Sequence, residues 1–207
     1  MTPALRVYDA AASAAAVVVL GHGAGAGHDH PWMTRVARGL ASRGVRVVTF
    51  NFPYIDARRA APDPPAVLEA AFAAVWKEVA NRGPMFAGGK SMGGRIASQV
   101  AAKQGFDPAP AGLVFFGYPL HPPGKPGQRR DRHLPAITAP MLFLHGTRDP
   151  FGAPDEMRAL VAGLPNATLE ILDGGDHSLV APRRQDPTGA RLEQAIEVAA
   201  AWMRGNA

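Results

Sequence analysis

The sequence predicts an α/β protein with a mostly parallel sheet of about six or seven strands, helices on both faces and no large cap domain. One observation is the alternation of short Val-, Leu- and Phe-rich runs with longer stretches of helical periodicity, which is typical of a parallel sheet covered by helices. The other is the length of 207 residues, which suits one domain with a continuous core. We therefore predict a single domain over residues 1–207.

Six apolar runs are predicted to form the core strands. They cover residues 17–20, 45–50, 85–88, 113–117, 141–145 and 168–172. Residues 5–9 are predicted to add an edge strand. Continuous apolar runs of this length are typical of strands that are buried on both faces of a sheet.

Five helices are predicted from apolar residues at helical spacing. The apolar residues that mark them cover residues 32–40, 67–79, 93–103, 157–164 and 192–203. Pro31 opens the first helix, in the first turn where proline is tolerated, and the second helix is predicted to start after Asp63, Pro64 and Pro65.

Residues 118–140 interrupt this alternation. The segment holds six prolines and the basic cluster of Arg129, Arg130 and Arg132, where a crossover helix would be expected. We predict an irregular segment with one short helical turn. Long loops in compact domains are more often functional than idle.

The composition predicts a soluble, cytoplasmic protein. Hydrophobic residues make up 47% of the chain and charged residues 19%, which is the globular range. The chain has no cysteine, which excludes disulfides, thiolate metal sites and a cysteine nucleophile.

Residues 10–20 are apolar enough to be compared with the hydrophobic region of a signal peptide. Arg6 and Asp9 precede them instead of a cluster of positive charges, and a glycine-rich turn follows directly. The run is also too short to cross a membrane. We therefore interpret its second half as a buried strand.

The net charge of +5 raises the question of nucleic-acid binding. Most arginines are scattered, and neither a recognition motif nor interleaved aromatic residues accompany them. The sequence therefore predicts a small-molecule partner, with no nucleic acid and no membrane, and it leaves the oligomeric state open.

The sharpest motif is Gly-Gly-Lys-Ser-Met-Gly-Gly at residues 88–94, between an apolar run and a helix. It fits the nucleophile elbow Gly-x-Ser-x-Gly, in which the serine occupies a strained turn between a strand and a helix. Side chains at Gly89 and Gly93 would collide with neighbouring backbone there. A phosphate-binding P-loop is the alternative, but its opening glycine would have to stand at Pro84. The sequence favours Ser91 as a nucleophile.

A serine nucleophile needs a histidine base and a carboxylate that orients the base. Asp149 follows the predicted strand at 141–145, and His177 follows the strand at 168–172. Loops at the carboxyl ends of parallel strands meet at one edge of the sheet. The chain order Ser91, Asp149, His177 is that of α/β-hydrolases. Two nearby carboxylates, Asp173 and Asp176, are interpreted as surface or turn residues.

A glycine-rich turn at residues 21–27 follows the first core strand. Its small residues allow the backbone to approach a developing oxyanion, and we predict the N–H groups of Ala24 and Met92 as the donors. A dinucleotide-binding turn is the alternative, but it requires an acidic residue after the next strand, where Asn51 stands.

Seven histidines raise the question of a metal site, above all His22, His28 and His30. We interpret Asp29, His30 and Pro31 as the start of a helix instead, and predict no metal and no cofactor. His145, at the end of a strand, is predicted to be structural.

Four residues are candidates for the wall of the substrate pocket, namely His22, Lys90, Tyr118 and His121. Lys90 is unusual next to a nucleophile. If its ammonium group points into the site, it favours an acidic substrate or lowers the basicity of His177; if it points into the helix layer, it pairs with a carboxylate.

With these motifs assembled, the chain resembles the α/β-hydrolases of the dienelactone-hydrolase-like group. More narrowly, it resembles the hydrolase-like family of testis-expressed protein 30 and the NSL-complex subunit. The segments that carry the resemblance are residues 21–27 with 29–32, 88–95, 117–121, 145–149 and 174–179. The resemblance implies an α/β-hydrolase core with Ser91, Asp149 and His177 as the triad. Dienelactone hydrolases themselves use a cysteine nucleophile, which this chain does not have.

Two hypotheses for the function follow. The first is a serine hydrolase that cleaves a carboxylic ester or related acyl bond through an acyl-serine intermediate. The alternative is a non-catalytic or weakly catalytic interaction module that binds a partner through the basic, proline-rich segment at residues 118–140.

Overall fold

The computed structural model describes residues 3–10, 14–80 and 83–207. A sheet of seven strands lies at its centre, in the order β1-β3-β2-β4-β5-β6-β7. Only β1 runs antiparallel to its neighbour within these described residues. The strands are β1 (Leu5–Tyr8), β2 (Ala16–Gly21), β3 (Val45–Phe50), β4 (Met85–Lys90), β5 (Gly112–Phe116), β6 (Met141–Gly146) and β7 (Ala167–Leu172).

Six α-helices connect or follow these strands in the described residues. They are α1 (Pro31–Ala41), α2 (Pro53–Asp56), α3 (Pro65–Val79), α4 (Met92–Ala102), α5 (Pro154–Ala162) and α6 (Ala190–Gly205). Proline occupies one of the first two positions of α1, α2, α3 and α5, where its missing N–H costs no hydrogen bond.

The two faces of the sheet pack against different helices. On one face, side chains such as Val18 and Leu144 contact α1 and α6. On the other face, α3 and α4 cover β2 and β4 through residues such as Phe72 and Ile96. Farther along the same face, α5 packs beside β7, and its Met157 joins an apolar cluster with side chains of β5 and β6. The predicted α/β architecture with helices on both faces is confirmed, and no large cap domain is inserted in the described ranges.

The strand order places a topological switch point beside β2. From β2 the chain continues to β3, which pairs with one edge of β2, and then returns to β4, which pairs with the other edge of β2. Gly21 at the end of β2 pairs with Gly89 in β4. The loop after β2 and the turn after β4 are therefore neighbours at the carboxyl edge of the sheet, where α/β proteins bind ligands.

The seven predicted strands and five predicted helices are confirmed, with shifts of a few residues at some ends. The helix α2 was not predicted. The irregular character of residues 118–140 is confirmed, with a single 3₁₀ turn at Leu134–Ala136. Within the apolar run at residues 10–20, residues 11–13 lie outside the described residues, while the second half forms β2. None of the described helices is long and apolar enough to cross a membrane.

Candidate active site

Ser91 occupies the turn between β4 and α4, as the elbow motif predicts. Its backbone has φ 49° and ψ −113°, a conformation that L-residues rarely adopt and that stores strain. Its N–H donates to the carbonyl of Phe116 in β5 at 3.1 Å. The sheet therefore holds the strained turn from the side, and Ser91 remains partly exposed.

The glycines around Ser91 allow a close approach of two backbones. A Cβ atom at Gly89 or Gly93 would overlap the carbonyl of Gly21 in β2. The predicted collision with neighbouring backbone is thus confirmed at both positions. Because glycine stands there, the elbow lies directly against the loop that follows β2.

Ser91, His177 and Asp149 form a continuous chain of hydrogen bonds. The distance from Ser91 Oγ to His177 Nε2 is 2.8 Å, and that from His177 Nδ1 to Asp149 Oδ2 is also 2.8 Å. The Asp149 carboxylate can only accept hydrogen bonds, so the neutral His177 imidazole carries its proton on Nδ1. Its Nε2 then accepts a hydrogen bond from the serine hydroxyl. This arrangement can move a proton from Ser91 to His177 while Asp149 stabilises the imidazolium.

The Asp149 side chain is fully buried and its two oxygens have different partners. Oδ1 accepts from the N–H of Phe151 at 2.8 Å, and Oδ2 accepts from His177. The His145 ring is also near this carboxylate, with 3.6 Å between its Nδ1 and Asp149 Oδ2. Its Nε2 lies 2.9 Å from the carbonyl oxygen of Gly152. Burial lowers the pKa of His145. The predicted structural role of His145 is confirmed.

Glycine is also required where β5 ends against His177. Gly117 has φ 69°, a left-handed conformation that favours glycine. A Cβ atom there would lie 2.5 Å from the His177 carbonyl oxygen. The histidine loop therefore packs directly on the backbone that follows β5.

A cavity of about 380 Å³ opens over Ser91 and His177. Apolar side chains form much of its wall, with the glycine-rich loop after β2 on one side. The lining residues are Gly23, Ala24, Gly25, Ala26, His30, Trp32, Met33, Lys90, Ser91, Phe151, His177 and Ser178. The hydroxyl and the imidazole are thus accessible to a small ligand.

Comparison with known families agrees with this fold. A family profile described as "Alpha/beta hydrolase domain" matches residues 14–204, which is most of the chain. The chain belongs to the alpha/beta hydrolase family. The profile covers all the residues named in the hydrogen-bond chain and in the cavity wall.

Solved structures of other alpha/beta hydrolases share the fold of this one. A monoacylglycerol lipase from Paleococcus ferrophilus has a TM-score of 0.74 at 17% identity, with 100% of each chain covered. Dienelactone hydrolase from Anabaena variabilis has a TM-score of 0.73 at 18% identity, covering 97% of this chain and 90% of that one. The esterase domain of a Rhodothermus marinus protein has a TM-score of 0.72 at 17% identity, covering 98% and 92%.

The oxyanion donors predicted for this alpha/beta hydrolase lie on the two segments that flank the cavity. Met92 is the first residue of α4, so the helix provides no acceptor for its N–H. Ala24 is exposed in the loop after β2 and lines the cavity. The Tyr54 hydroxyl lies 2.8 Å from the carbonyl oxygen of Ala24 and 3.5 Å from that of Gly23. Because C=O and N–H point in opposite directions across a trans peptide bond, the Ala24 N–H, which shares a peptide unit with the Gly23 carbonyl, points away from Tyr54.

His22 is placed beneath the cavity and does not belong to its wall in the described structure. Its Nε2 accepts from the N–H of Phe52 at 3.0 Å, so its Nδ1–H donates to the carbonyl of Gly23 at 2.7 Å. Burial lowers the pKa of His22 to about 4, and the ring stays neutral. His22 thus supports the loop after β2 instead of contacting a ligand in the cavity.

Tyr118 and His121 also lie away from the cavity among the described residues. Tyr118 is buried beside Phe115 and Phe143, and burial raises the pKa of its hydroxyl. His121 contacts Glu156 at the start of α5, with 3.1 Å between Nε2 and the carboxylate. The segment at residues 118–140 therefore packs on α4 and α5, and the predicted pocket is corrected at three of its four candidates.

Lys90 is the one candidate that lines the cavity. Its ammonium group donates to the carbonyl of His177 and lies 5.3 Å from the centre of the Trp32 ring. Burial lowers the pKa of Lys90 to about 8, against the attraction of Asp149 and Asp176. The expected pairing with a carboxylate in the helix layer needs correction, since no ion pair of the described residues includes Lys90 and its ammonium group lies at the cavity beside His177.

A second serine–histidine contact lies outside the cavity. Ser98 in α4 is fully buried, and its Oγ lies 2.7 Å from His133 Nε2 and donates to the carbonyl of Arg95 at 2.7 Å. Ser98 sits inside a helix and not in a strained turn. This contact anchors the segment at residues 118–140 to α4, and no substrate can reach the hydroxyl without displacing that segment.

The three histidines considered for a metal site have separate partners. His22 bonds to Phe52 and Gly23, and His30 Nδ1 accepts from the Trp32 N–H at 3.2 Å as the cap of α1. The His28 ring lies 3.7 Å from the Asp29 carboxylate. In the described residues, no group of three or more His, Asp or Glu side chains converges as metal ligands.

Phe151 and Trp32 are among the residues of the site that were not predicted from the sequence. Phe151 stands two residues after Asp149, and its ring stacks on the His177 imidazole with 4.1 Å between centroids. Trp32 was predicted only as a helix residue, yet it lines the cavity and donates from Nε1 to the Ser178 carbonyl at 2.8 Å. An aromatic residue so close to a predicted triad acid was the available signal for Phe151.

Proposed function

We propose that this alpha/beta hydrolase is a serine hydrolase that cleaves a carboxylic ester or related acyl bond through an acyl-serine intermediate. The observation that carries the proposal is the hydrogen-bond chain Ser91–His177–Asp149, with both bonds at 2.8 Å, at the base of an open cavity. A serine at a strained elbow with a correctly protonated base is poised for attack on a carbonyl carbon.

In the acylation step, Ser91 Oγ forms a bond to the carbonyl carbon of the substrate while its proton moves to His177 Nε2. The carbonyl π electrons move onto oxygen, which gives a tetrahedral oxyanion. When this intermediate collapses, the bond to the leaving alcohol breaks and the alcohol oxygen takes the proton from His177. The acyl group is then esterified to Ser91.

In the deacylation step, water attacks the acyl carbon and His177 accepts its proton. The bond to Ser91 then breaks, the serine oxygen recovers the proton, and the carboxylic acid leaves. Asp149 stabilises the imidazolium in both steps, because its buried carboxylate accepts from Nδ1 at 2.8 Å. His177 thus takes one proton from Ser91 and gives it to the leaving alcohol, then takes one from water and gives it back to Ser91.

The oxyanion is proposed to be held by the N–H groups of Ala24 and Met92. Met92 is supported by its position at the first turn of α4, where the helix dipole favours negative charge. Ala24 is supported by its place in the cavity wall. One donor of this kind contributes about 3–4 kcal/mol of transition-state stabilisation.

The proposed substrate is a small acyl compound with an apolar group next to the scissile bond. Trp32, Met33 and Phe151 line the cavity, together with Ala24 and Ala26. Apolar walls with few polar groups are typical of small-molecule sites. Within the family, we further propose kinship with the group of testis-expressed protein 30, on the motifs that carry that resemblance.

Labelling with a fluorophosphonate probe tests the proposal, with intact-mass detection of the adduct. We expect stoichiometric labelling of the wild type and of Ser98→Ala, and none of Ser91→Ala. Ser98→Ala is the matched control because it removes the other histidine-bonded hydroxyl near the site. Labelling that persists in Ser91→Ala contradicts the assigned nucleophile.

Hydrolysis of an ester series tests the reaction itself. We expect the wild type to turn over short 4-nitrophenyl esters, and Ser91→Ala to fall to the background rate. A folded wild type that neither labels nor hydrolyses any ester would favour the alternative, an interaction module that uses residues 118–140.

A further inference from the structure

Lys90 joins the nucleophile's strand to the backbone of the histidine. It is the last residue of β4 and directly precedes Ser91. Its ammonium group donates to the His177 carbonyl and lies over the Trp32 ring. None of the ion pairs in the described part of the chain includes Lys90. The partners of its charged ammonium group are therefore the His177 carbonyl and the face of the Trp32 ring.

The neighbouring carbonyl is held in the same way. Trp32 Nε1 donates to the Ser178 carbonyl at 2.8 Å. Two consecutive carbonyls of the histidine loop are therefore bound by side chains from β4 and α1. Asp176 acts from inside the loop, since its Oδ1 accepts from the N–H groups of Ser178 at 2.7 Å and Val180 at 3.2 Å.

We propose that Lys90 is a positioning residue that fixes His177 relative to Ser91 by holding the His177 carbonyl. This inference rests on the proposed function. Lys90 and Ser91 are joined by a peptide bond, so the contact of Lys90 with His177 closes a ring that contains the 2.8 Å bond between Ser91 Oγ and His177 Nε2. The nucleophile and its base are then held by two connections instead of one.

The size of the expected effect follows from the geometric demands of proton transfer. A displacement of about 1 Å of a reacting group lowers rates by about 10²-fold. A hydrogen bond from an ammonium group is about twice as strong as a neutral one. Removing the donor while keeping the length of the side chain should therefore slow the chemical step.

The competing role for Lys90 is recognition of an acidic substrate, since the side chain also lines the cavity. The two roles predict different kinetics. A positioning residue acts on every substrate through kcat, whereas an anion-binding residue acts through KM on acidic substrates alone.

Steady-state kinetics of Lys90→Met and Lys90→Arg in the full chain separate these roles. The substrates are 4-nitrophenyl acetate and the mono-4-nitrophenyl ester of glutaric acid, which carries a free carboxylate. For Lys90→Met we expect kcat to fall about 10- to 100-fold on both esters, with KM changed by less than about threefold. Lys90→Arg should recover part of the loss, because the guanidinium still donates to a carbonyl. A KM increase confined to the acidic ester, with kcat unchanged on the acetate, overturns the proposal.

Two further measurements keep the result interpretable. Fluorophosphonate labelling counts the competent sites, and wild type that shows no Ser91-dependent labelling marks a failure of the proposed function, not of the role of Lys90.

The ¹⁵N shifts of the His177 ring then report its contact with Ser91 without turnover, and they should differ between wild type and Lys90→Met. Unchanged shifts overturn the positioning role. If Lys90→Met does not fold, Trp32→Phe removes the bond to Ser178 while keeping an aromatic ring beside the Lys90 ammonium group. It should give a smaller loss of kcat on both esters, and an unchanged kcat contradicts the proposal.

Discussion

The Phe151 ring lies against the His177 imidazole, with centroids 4.1 Å apart and an angle of 28° between the planes. The same residue donates its backbone N–H to Asp149 Oδ1 at 2.8 Å. Phe151 therefore contacts both the base and its carboxylate, one through the side chain and the other through the backbone. Such a contact limits rotation of the imidazole and shields one face of the ring from water.

Replacement of Phe151 by leucine should lower kcat for ester hydrolysis by about 2- to 10-fold. This range corresponds to the loss of about 0.5–1.5 kcal/mol from an aromatic contact, while the backbone bond to Asp149 is kept. Phe151→Tyr is the matched control because it retains the ring, and it should stay near wild type. Equal losses in both variants would mean that the stacked ring is not the cause.

Asp149→Asn should lower kcat by about 10⁴-fold without unfolding the protein. The amide that replaces Oδ2 would donate to His177 Nδ1, so the imidazole proton would move to Nε2, which could no longer accept from Ser91. Asp173→Asn is the control, because Asp173 is an exposed carboxylate on the histidine loop. Kinetics and thermal unfolding of both variants provide the measurement, and a similar loss in Asp173→Asn would assign the acid differently.

The strands could be predicted because burial on both faces leaves a continuous apolar run in the sequence. The strand at residues 45–50 is recovered at both ends as β3 (Val45–Phe50). The helix α2 could not be predicted in this way, because Pro53–Asp56 is little more than one turn and shows no periodicity.

The positions of Ser91, Asp149 and His177 could be predicted because each lies just past a strand end in a parallel sheet. The directions of side chains around the site could not be predicted in this way. Tyr118 follows β5 beside the site, but its ring turns into the core against Phe115 and Phe143. Lys90 is adjacent to Ser91, but only the folded histidine loop places a carbonyl within its reach.

Gly93→Ala should destabilise the fold because its Cβ atom would overlap the Gly21 carbonyl, which the sheet holds in place. An overpacked position of this kind costs about 3 kcal/mol, which for this chain length lowers Tm by about 6–12 °C. Gly25→Ala is the matched control on the adjacent loop, since a Cβ there meets nothing within 4 Å. Its Tm should stay within about 2 °C of wild type, at the usual scale of a surface change. Calorimetry that finds equal Tm values for the two variants contradicts the close approach.

The charge of Lys90 predicts that kcat depends on pH in the alkaline range. Burial lowers the pKa of Lys90 to about 8, and the groups that face it are Asp149, Asp176 and the His177 backbone. The ammonium form is present below this pH and is lost above it, so the bond to the His177 carbonyl weakens as the pH rises. We expect kcat of the wild type to fall several-fold between about pH 7 and 9.5, on the scale of a charge-assisted bond becoming neutral.

Stability should change in the opposite direction over the same range. The pKa of Lys90 is lower in the folded chain than the ordinary value of 10.5, so the unfolded chain binds more protons between about pH 8 and 10.5. The contribution of Lys90 to the free energy of unfolding therefore rises with pH while kcat falls. Lys90→Arg keeps its charge throughout, so its kcat should not show the decline. Activity profiles at constant ionic strength, with the spontaneous hydrolysis subtracted, test this, and an identical decline in wild type and Lys90→Arg would assign it to another group.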